Sequence, residues 1–129
     1  MKELEKESPF APLDLEKILI ETERCVAFFD RYPVSDGHVL VIPKRVAASL
    51  YDLPVDLQAE LWETVRRTRE RLIERFHPDG FNIGVNDGPA AGQTVPHVHI
   101  HVIPRYAGDA SDPRGGIRWV LPEKAKYWE

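Results

Sequence analysis

Val95-Pro96-His97-Val98-His99-Ile100-His101-Val102-Ile103 is the stretch on which the fold turns. Imidazoles alternate with aliphatic side chains. A β-strand repeats every two residues, so a strand over 95–103 sends His97, His99 and His101 to one face and Val98, Ile100 and Val102 to the other. The aliphatic row needs a core partner, and its neighbours supply one. Upstream, Phe81-Asn82-Ile83-Gly84-Val85 alternates as a strand between the turn signals Pro78-Asp79-Gly80 and Asn86-Asp87-Gly88-Pro89. Further upstream, residues 18–22 and 25–30 flank a short charged turn and read as a hairpin. After Pro33-Val34-Ser35-Asp36-Gly37, residues 38–42 form a β-branched strand bounded by Pro43. One convincing helix opens near Pro54 and runs to about Phe76, with Leu57, Leu61, Val65, Leu72 and Phe76 at helical spacing. Short turns joining strands around one long helix predict an α+β fold with a mostly antiparallel sheet.

The 129 residues, 43% hydrophobic, suffice for one core and predict a single domain over 1–129. Residues 1–9, charged almost throughout, read as a flexible, solvated tail. Residues 107–129 read as a C-terminal extension whose Trp119, Val120, Leu121, Tyr127 and Trp128 need cover from a short final strand or a subunit interface. A net charge of −4 offers no broad basic face for nucleic acid, so an anionic ligand must be gripped locally. Cys25 is the sole cysteine, which precludes an intramolecular disulfide or a thiolate zinc cage. No apolar run suits a membrane span or signal peptide, and a cytoplasmic protein with no membrane partner is expected.

Three readings compete for the histidine run. Packing alone explains it poorly, because adjacent buried imidazoles must each find partners for two nitrogens. Metal ligation suits alternating histidines on a strand, but the residues that follow, Val102-Ile103-Pro104-Arg105, bring no carboxylate and bring a repelling cation. Nucleophilic catalysis needs one neutral imidazole to attack phosphorus beside a phosphate cradle. Gly92-Gln93-Thr94 offers such a cradle: a glycine for close backbone approach, then an amide and a hydroxyl.

Taken together, these residues resemble the histidine triad (HIT) family, whose signature His-x-His-x-His followed by two apolar residues is matched by residues 97–103. Asp30, Gly37 through Lys44, Asn86-Asp87-Gly88, Ala91 through Val95 and Pro104-Arg105 also stand in the family order. The resemblance covers about residues 15–107. It implies a five-stranded antiparallel sheet with a helix on one face and a two-fold homodimer.

For the site, the resemblance implies that His99 is the nucleophile forming a nucleotidyl-histidine intermediate. His101 would bond a phosphate oxygen, while His97 and His38 orient the nucleophile and pass protons towards the leaving group. Asn86, the Gly92 and Thr94 backbone and the Thr94 side chain would contact the α-phosphate, with Gln93 near the scissile bond. Asp30 would accept from the ribose hydroxyls. Phe28, with an apolar residue near Phe10 or Ile18, would flank a purine, although core burial explains apolar residues there equally well.

Two departures are visible. Val46 stands where many members carry a histidine, and no Cys-x-x-Cys pair occurs near Ser8-Pro9-Phe10-Ala11-Pro12, so neither a metal nor another cofactor is expected. The triad region is closest to the fragile histidine triad branch, which cleaves diadenosine polyphosphates, but Asn86 stands where that branch often has glutamine. The expected activity is cleavage of a nucleoside 5′-phosphoryl bond in a dinucleotide polyphosphate or phosphoramidate. The alternative is a nucleotide-binding adaptor with negligible turnover. Arg114 and Arg118 in the extension are placed to reach a distal phosphate or simply to be solvated.

Overall fold

The structure, a computed structural model, describes residues 2–129. Its sheet has the order β1 (Ile18–Glu21), β2 (Cys25–Phe29), β3 (Val39–Pro43), β5 (Ile100–Arg105), β4 (Gly80–Val85), every neighbour antiparallel. The helix α1 (Val55–Phe76) follows Pro54 and ends where His77 turns left-handed at φ 52°. Its buried face comprises Leu57, Leu61, Val65 and Leu72 together with Thr64 and Thr68. Each threonine hydroxyl donates to the carbonyl four residues back, Glu60 and Thr64 respectively, at 2.7 Å, which lets a polar residue lie on a core face. This face packs on Ala27, Val39, Val41, Ile100 and Val102. Glu60 also takes the Thr22 hydroxyl and the Arg24 amide and guanidinium, tying the β1–β2 turn to the helix.

The opposite sheet face positions the site. Phe28 pairs with Leu40, Leu40 with His101 and His101 with Gly84, so one row runs across four strands. One half of the row is apolar. Val26, Phe28, Leu40 and Ile42 form a second core there, covered by Leu4, Phe10, Leu13 and Ile18. The other half stays open because Gly84 places no side chain beside His101.

Three expectations are corrected. Residues 2–9 are no solvated tail. The Glu5 amide bonds the Lys44 carbonyl at 2.9 Å, Lys44 Nζ donates to the Lys2 carbonyl at 2.6 Å, and Ser8 is buried. Their charged residues are exposed, yet the Glu5 carboxylate takes the Val46 amide and the backbone straps the sheet. The histidine strand begins at Ile100, not at residue 95. Pro96 has no amide to give, the His97 amide turns back to Val95 O, and the Val98 amide goes to Ala47 O, so this segment leaves the ladder. The C-terminal residues form no strand; they make a 3-10 turn over Gly116–Val120 and the short helix α2 (Pro122–Ala125). Among the described residues no helix is long and apolar enough to cross a membrane.

Candidate active site

The three triad histidines differ sharply in what their ring nitrogens meet. His97 is fully buried. Its Nε2 lies 2.8 Å from Pro43 O, and a carbonyl only accepts, so Nε2 carries the proton. Its Nδ1, 2.7 Å from Ser8 Oγ, is then the acceptor of the serine hydroxyl. Burial pushes its pKa down and keeps the ring neutral. Both nitrogens are occupied, so the ring cannot reach a leaving group, and the relay role expected of it is withdrawn. Its backbone does the orienting instead: His99 Nδ1 donates to His97 O at 2.9 Å. In a neutral His99 this leaves the lone pair on Nε2.

His101 and His38 form a separate pair. The Val34 amide donates to His38 Nδ1 at 3.2 Å, which places the His38 proton on Nε2. Nε2 donates to His101 Nδ1 at 2.9 Å, with Asp30 Oδ2 3.4 Å away. His101 therefore holds its own proton on Nε2, a donor without a partner inside the triad. Burial, followed by the neighbouring His99 and His38 rings, pushes the His101 pKa down to about 4; burial also lowers His38, against the pull of Asp30. The rings of His99 and His101 meet edge to face, 5.1 Å apart. A lone pair on one and a donor on the other suit a group that is electrophilic at its centre and anionic at its rim.

Asp30, His38 and His101 could in principle hold a metal, their ligand atoms all lying within 4.8 Å of one another. The proton placement opposes it. With the Val34 amide already donating to Nδ1, a neutral His38 presents a proton at Nε2 where a metal needs a lone pair.

The remaining predicted residues divide. Asn86 and Gly92 line a groove of about 1180 Å³ that His38 and His101 also face. Gly92 adopts φ 95°, but its amide closes a turn on Pro89 O at 3.0 Å and is not free for an oxyanion. Gln93 does not point at a scissile bond. Its Oε1 accepts from the Gly88 amide and its Nε2 donates to Ala48 O and Val95 O, fixing the loop. Thr94 is exposed beside it. Asp30 accepts from the Tyr32 amide with one oxygen and faces His38 with the other. Phe28 is buried and meets Phe10 edge to face at 5.5 Å; Phe10 also packs against His97 and His99 at 5.4 Å each.

Three contributors escaped the sequence reading in whole or part. Ser8 carried no signal, since a serine inside a charged run reads as solvent-facing. Ile117 and Val120 line the groove with His101, and of the two only Val120 was legible, as an apolar residue in need of cover. Arg114 and Arg118 do not reach the groove: the first pairs with Asp112 and the second with the Ala125 and Lys124 carbonyls.

The model of the HIT domain matches residues 14–108. The chain is 41% identical over 96 residues to the asymmetrical bis(5′-nucleosyl)-tetraphosphatase of Schizosaccharomyces pombe, covering 74% of this chain and 53% of that protein. It is 39% identical over 115 residues to a bifunctional bis(5′-adenosyl)-triphosphatase/adenylylsulfatase of Arabidopsis thaliana, covering 88% and 63%. The chain thus spans only part of the length of these relatives. Among solved structures, a HIT-like protein of Bartonella henselae superposes with a TM-score of 0.73 at 28% identity over 94% of this chain and 93% of its own. The Caenorhabditis elegans NitFhit protein gives 0.70 at 41% identity over 85% of this chain and 26% of its own. Sheet order, triad geometry and these matches agree: the chain belongs to the HIT domain family.

Proposed function

We propose that this protein cleaves a nucleoside 5′-phosphoryl bond by attack of His99 Nε2 on the α-phosphorus. The observation that carries the reading is the 2.9 Å hydrogen bond from His99 Nδ1 to His97 O, which fixes the nucleophilic lone pair on Nε2. Attack forms a P–N bond, breaks the bond from phosphorus to the leaving group, and turns His99 into a cation. The His97 carbonyl stabilises that charge through the Nδ1 proton it already holds, as a carboxylate does in serine hydrolases. His101 Nε2–H donates to a non-bridging oxygen. Water then attacks phosphorus and gives up a proton to solvent, the P–N bond breaks with its electron pair returning to Nε2, and the neutral ring and the nucleotide are released.

The purine lies against the apolar edge of Phe10 and Leu13 over Phe28, and Asp30 takes the ribose hydroxyls. Activities of the relatives at about 40% identity point to diadenosine polyphosphates as substrates. The protein works as a two-fold homodimer, for which the edge strand β4, with Ile83 37% exposed, is a free pairing edge; light scattering reads the mass of the dimer.

His99→Asn tests the chemistry. Turnover of diadenosine polyphosphate and of an adenosine phosphoramidate should fall by at least ~10³-fold while nucleotide binding persists, because only the nucleophile is lost. Undiminished hydrolysis by the variant overturns the mechanism. Tight binding with negligible turnover by the unaltered protein would establish the adaptor instead.

A further inference from the structure

We infer that Ser8, on the N-terminal strap, is a positioning residue for His99, acting through His97. The inference rests on the reading of His99 as nucleophile. Ser8 is only 4% exposed and lies 89 residues from its partner in sequence. The Phe10 amide donates to Ser8 Oγ at 3.0 Å, the Ser8 hydroxyl donates to His97 Nδ1 at 2.7 Å, and His97 Nε2–H donates to Pro43 O at 2.8 Å. The His97 ring is thereby held at both ends, between the strap and β3.

That clamp matters because the same residue's carbonyl sets the His99 tautomer. His97 lies outside the strand ladder, and its carbonyl shares a peptide plane with the Val98 amide, which donates to Ala47 O at 2.8 Å. That bond and the ring clamp hold the residue from two sides, and together they aim the carbonyl. With the Ser8 hydroxyl removed, a buried acceptor nitrogen loses its donor and one end of the ring comes free. The carbonyl then wanders from His99 Nδ1, and His99 begins to carry its proton on Nε2, where it cannot attack. The strap acts a second time through Phe10, whose ring edge packs on both histidines.

Ser8→Ala should lower kcat roughly tenfold with KM within about twofold, since a small misplacement of a reacting group costs up to ~100-fold in rate. Ser8→Thr, which keeps the hydroxyl, should restore kcat to within about threefold of the parent. Ring ¹⁵N correlation spectra supply the readout independent of activity. The parent should show His97 protonated on Nε2 and His99 on Nδ1 alone. Ser8→Ala should show both His99 tautomers, and Ser8→Thr one.

A parent His97 protonated on Nδ1, or a Ser8→Ala protein whose kcat and His99 spectrum are unchanged while only its melting temperature drops, overturns the inference. If the parent hydrolyses none of the nucleotides, the functional reading fails, and the spectra still decide what Ser8 does. The parent measurement stands even if a variant does not fold.

Discussion

The two ends of the chain look alike in sequence and behave oppositely in the fold. Both are rich in charge. Residues 2–9 nevertheless reach across the sheet to Lys44 and His97 through backbone and hydroxyl groups, and Ser8 is buried. In residues 107–129, Ala107 and Asp109 still bond to Asp79, Arg105 and Tyr106, but from Asp112 onward the bonds stay within the segment: Arg118 to Ala125 O, Trp119 Nε1 to Arg114 O, Arg114 to Asp112 and over the Trp128 ring. In that segment only Ala125 is buried, while Ile117 is 69% and Val120 73% exposed. Charge along a segment says where its side chains go; the destination of its backbone groups decides whether it belongs to the site.

Truncation gives the largest contrast. A chain lacking residues 1–9 takes the Ser8 hydroxyl from the His97 ring and the Lys2 carbonyl from the Lys44 ammonium, leaving each with one of its two partners. It should lose at least ~100-fold in turnover, with a clear drop in unfolding midpoint by denaturant titration. A chain ending at residue 110 should keep its triad tautomers and lose mainly affinity. Equal losses from both truncations would erase the distinction between the two ends.

Within the strap, Lys44→Met is the sharper cut. Lys44 is 3% exposed, and its ammonium meets Lys2 O and a Glu21 carboxylate oxygen, each at 2.6 Å. Removing a buried cation that serves two acceptors should cost about 2 kcal/mol in unfolding free energy, since the Lys2 carbonyl is left without its donor. An unchanged midpoint would mean that the strap is held by its apolar residues alone.

The histidines add a pH dependence on the side of the sheet that the strap does not cover. A histidine whose folded pKa lies below its unfolded value contributes stability that is complete above the unfolded value and is lost as the pH falls. For His101 the window runs from 6.5 down to about 4, and His38 shifts in the same direction. Urea midpoints should therefore decline as the pH is lowered through this interval. His101→Asn should flatten the decline; a parallel profile in the variant would assign the loss to other groups.

Much of this was legible beforehand. Apolar and β-branched runs between turn signals gave β1 to β3 and an alternating run gave β4, each within a residue or so at its ends, and period-3.6 spacing gave α1. Where the reading failed, hydrogen bonding to distant backbone had replaced the local pattern. His97 alternates perfectly with Val98 and His99, yet Ser8, Ala47 and a side-chain bond to Pro43 at the end of β3, rather than a strand ladder, hold that segment. Thr64 and Thr68 lie in the core because they satisfy themselves on their own helix. Gln93 resembles a phosphate ligand in sequence, but three backbone groups claim it in space. Residue type alone could not separate His99 and His101, each of which keeps one ring nitrogen without a partner among the triad, from His97, whose two nitrogens are both engaged.

The smallest effects belong to the C-terminal segment, and they separate its two faces. Ile117 lies within reach of Gly84 and walls the groove beside His101, so Ile117→Ser changes what the leaving group touches without opening a core. KM should rise about threefold to tenfold, the range expected for one apolar contact, with the unfolding midpoint unmoved. Arg114→Ala removes only an exposed ion pair and a ring contact 4.5 Å from the Trp128 centroid, so neither KM nor midpoint should change measurably. A loss of stability in Arg114→Ala as large as that in Lys44→Met would show that the local bonds of this end hold the fold as firmly as the strap does.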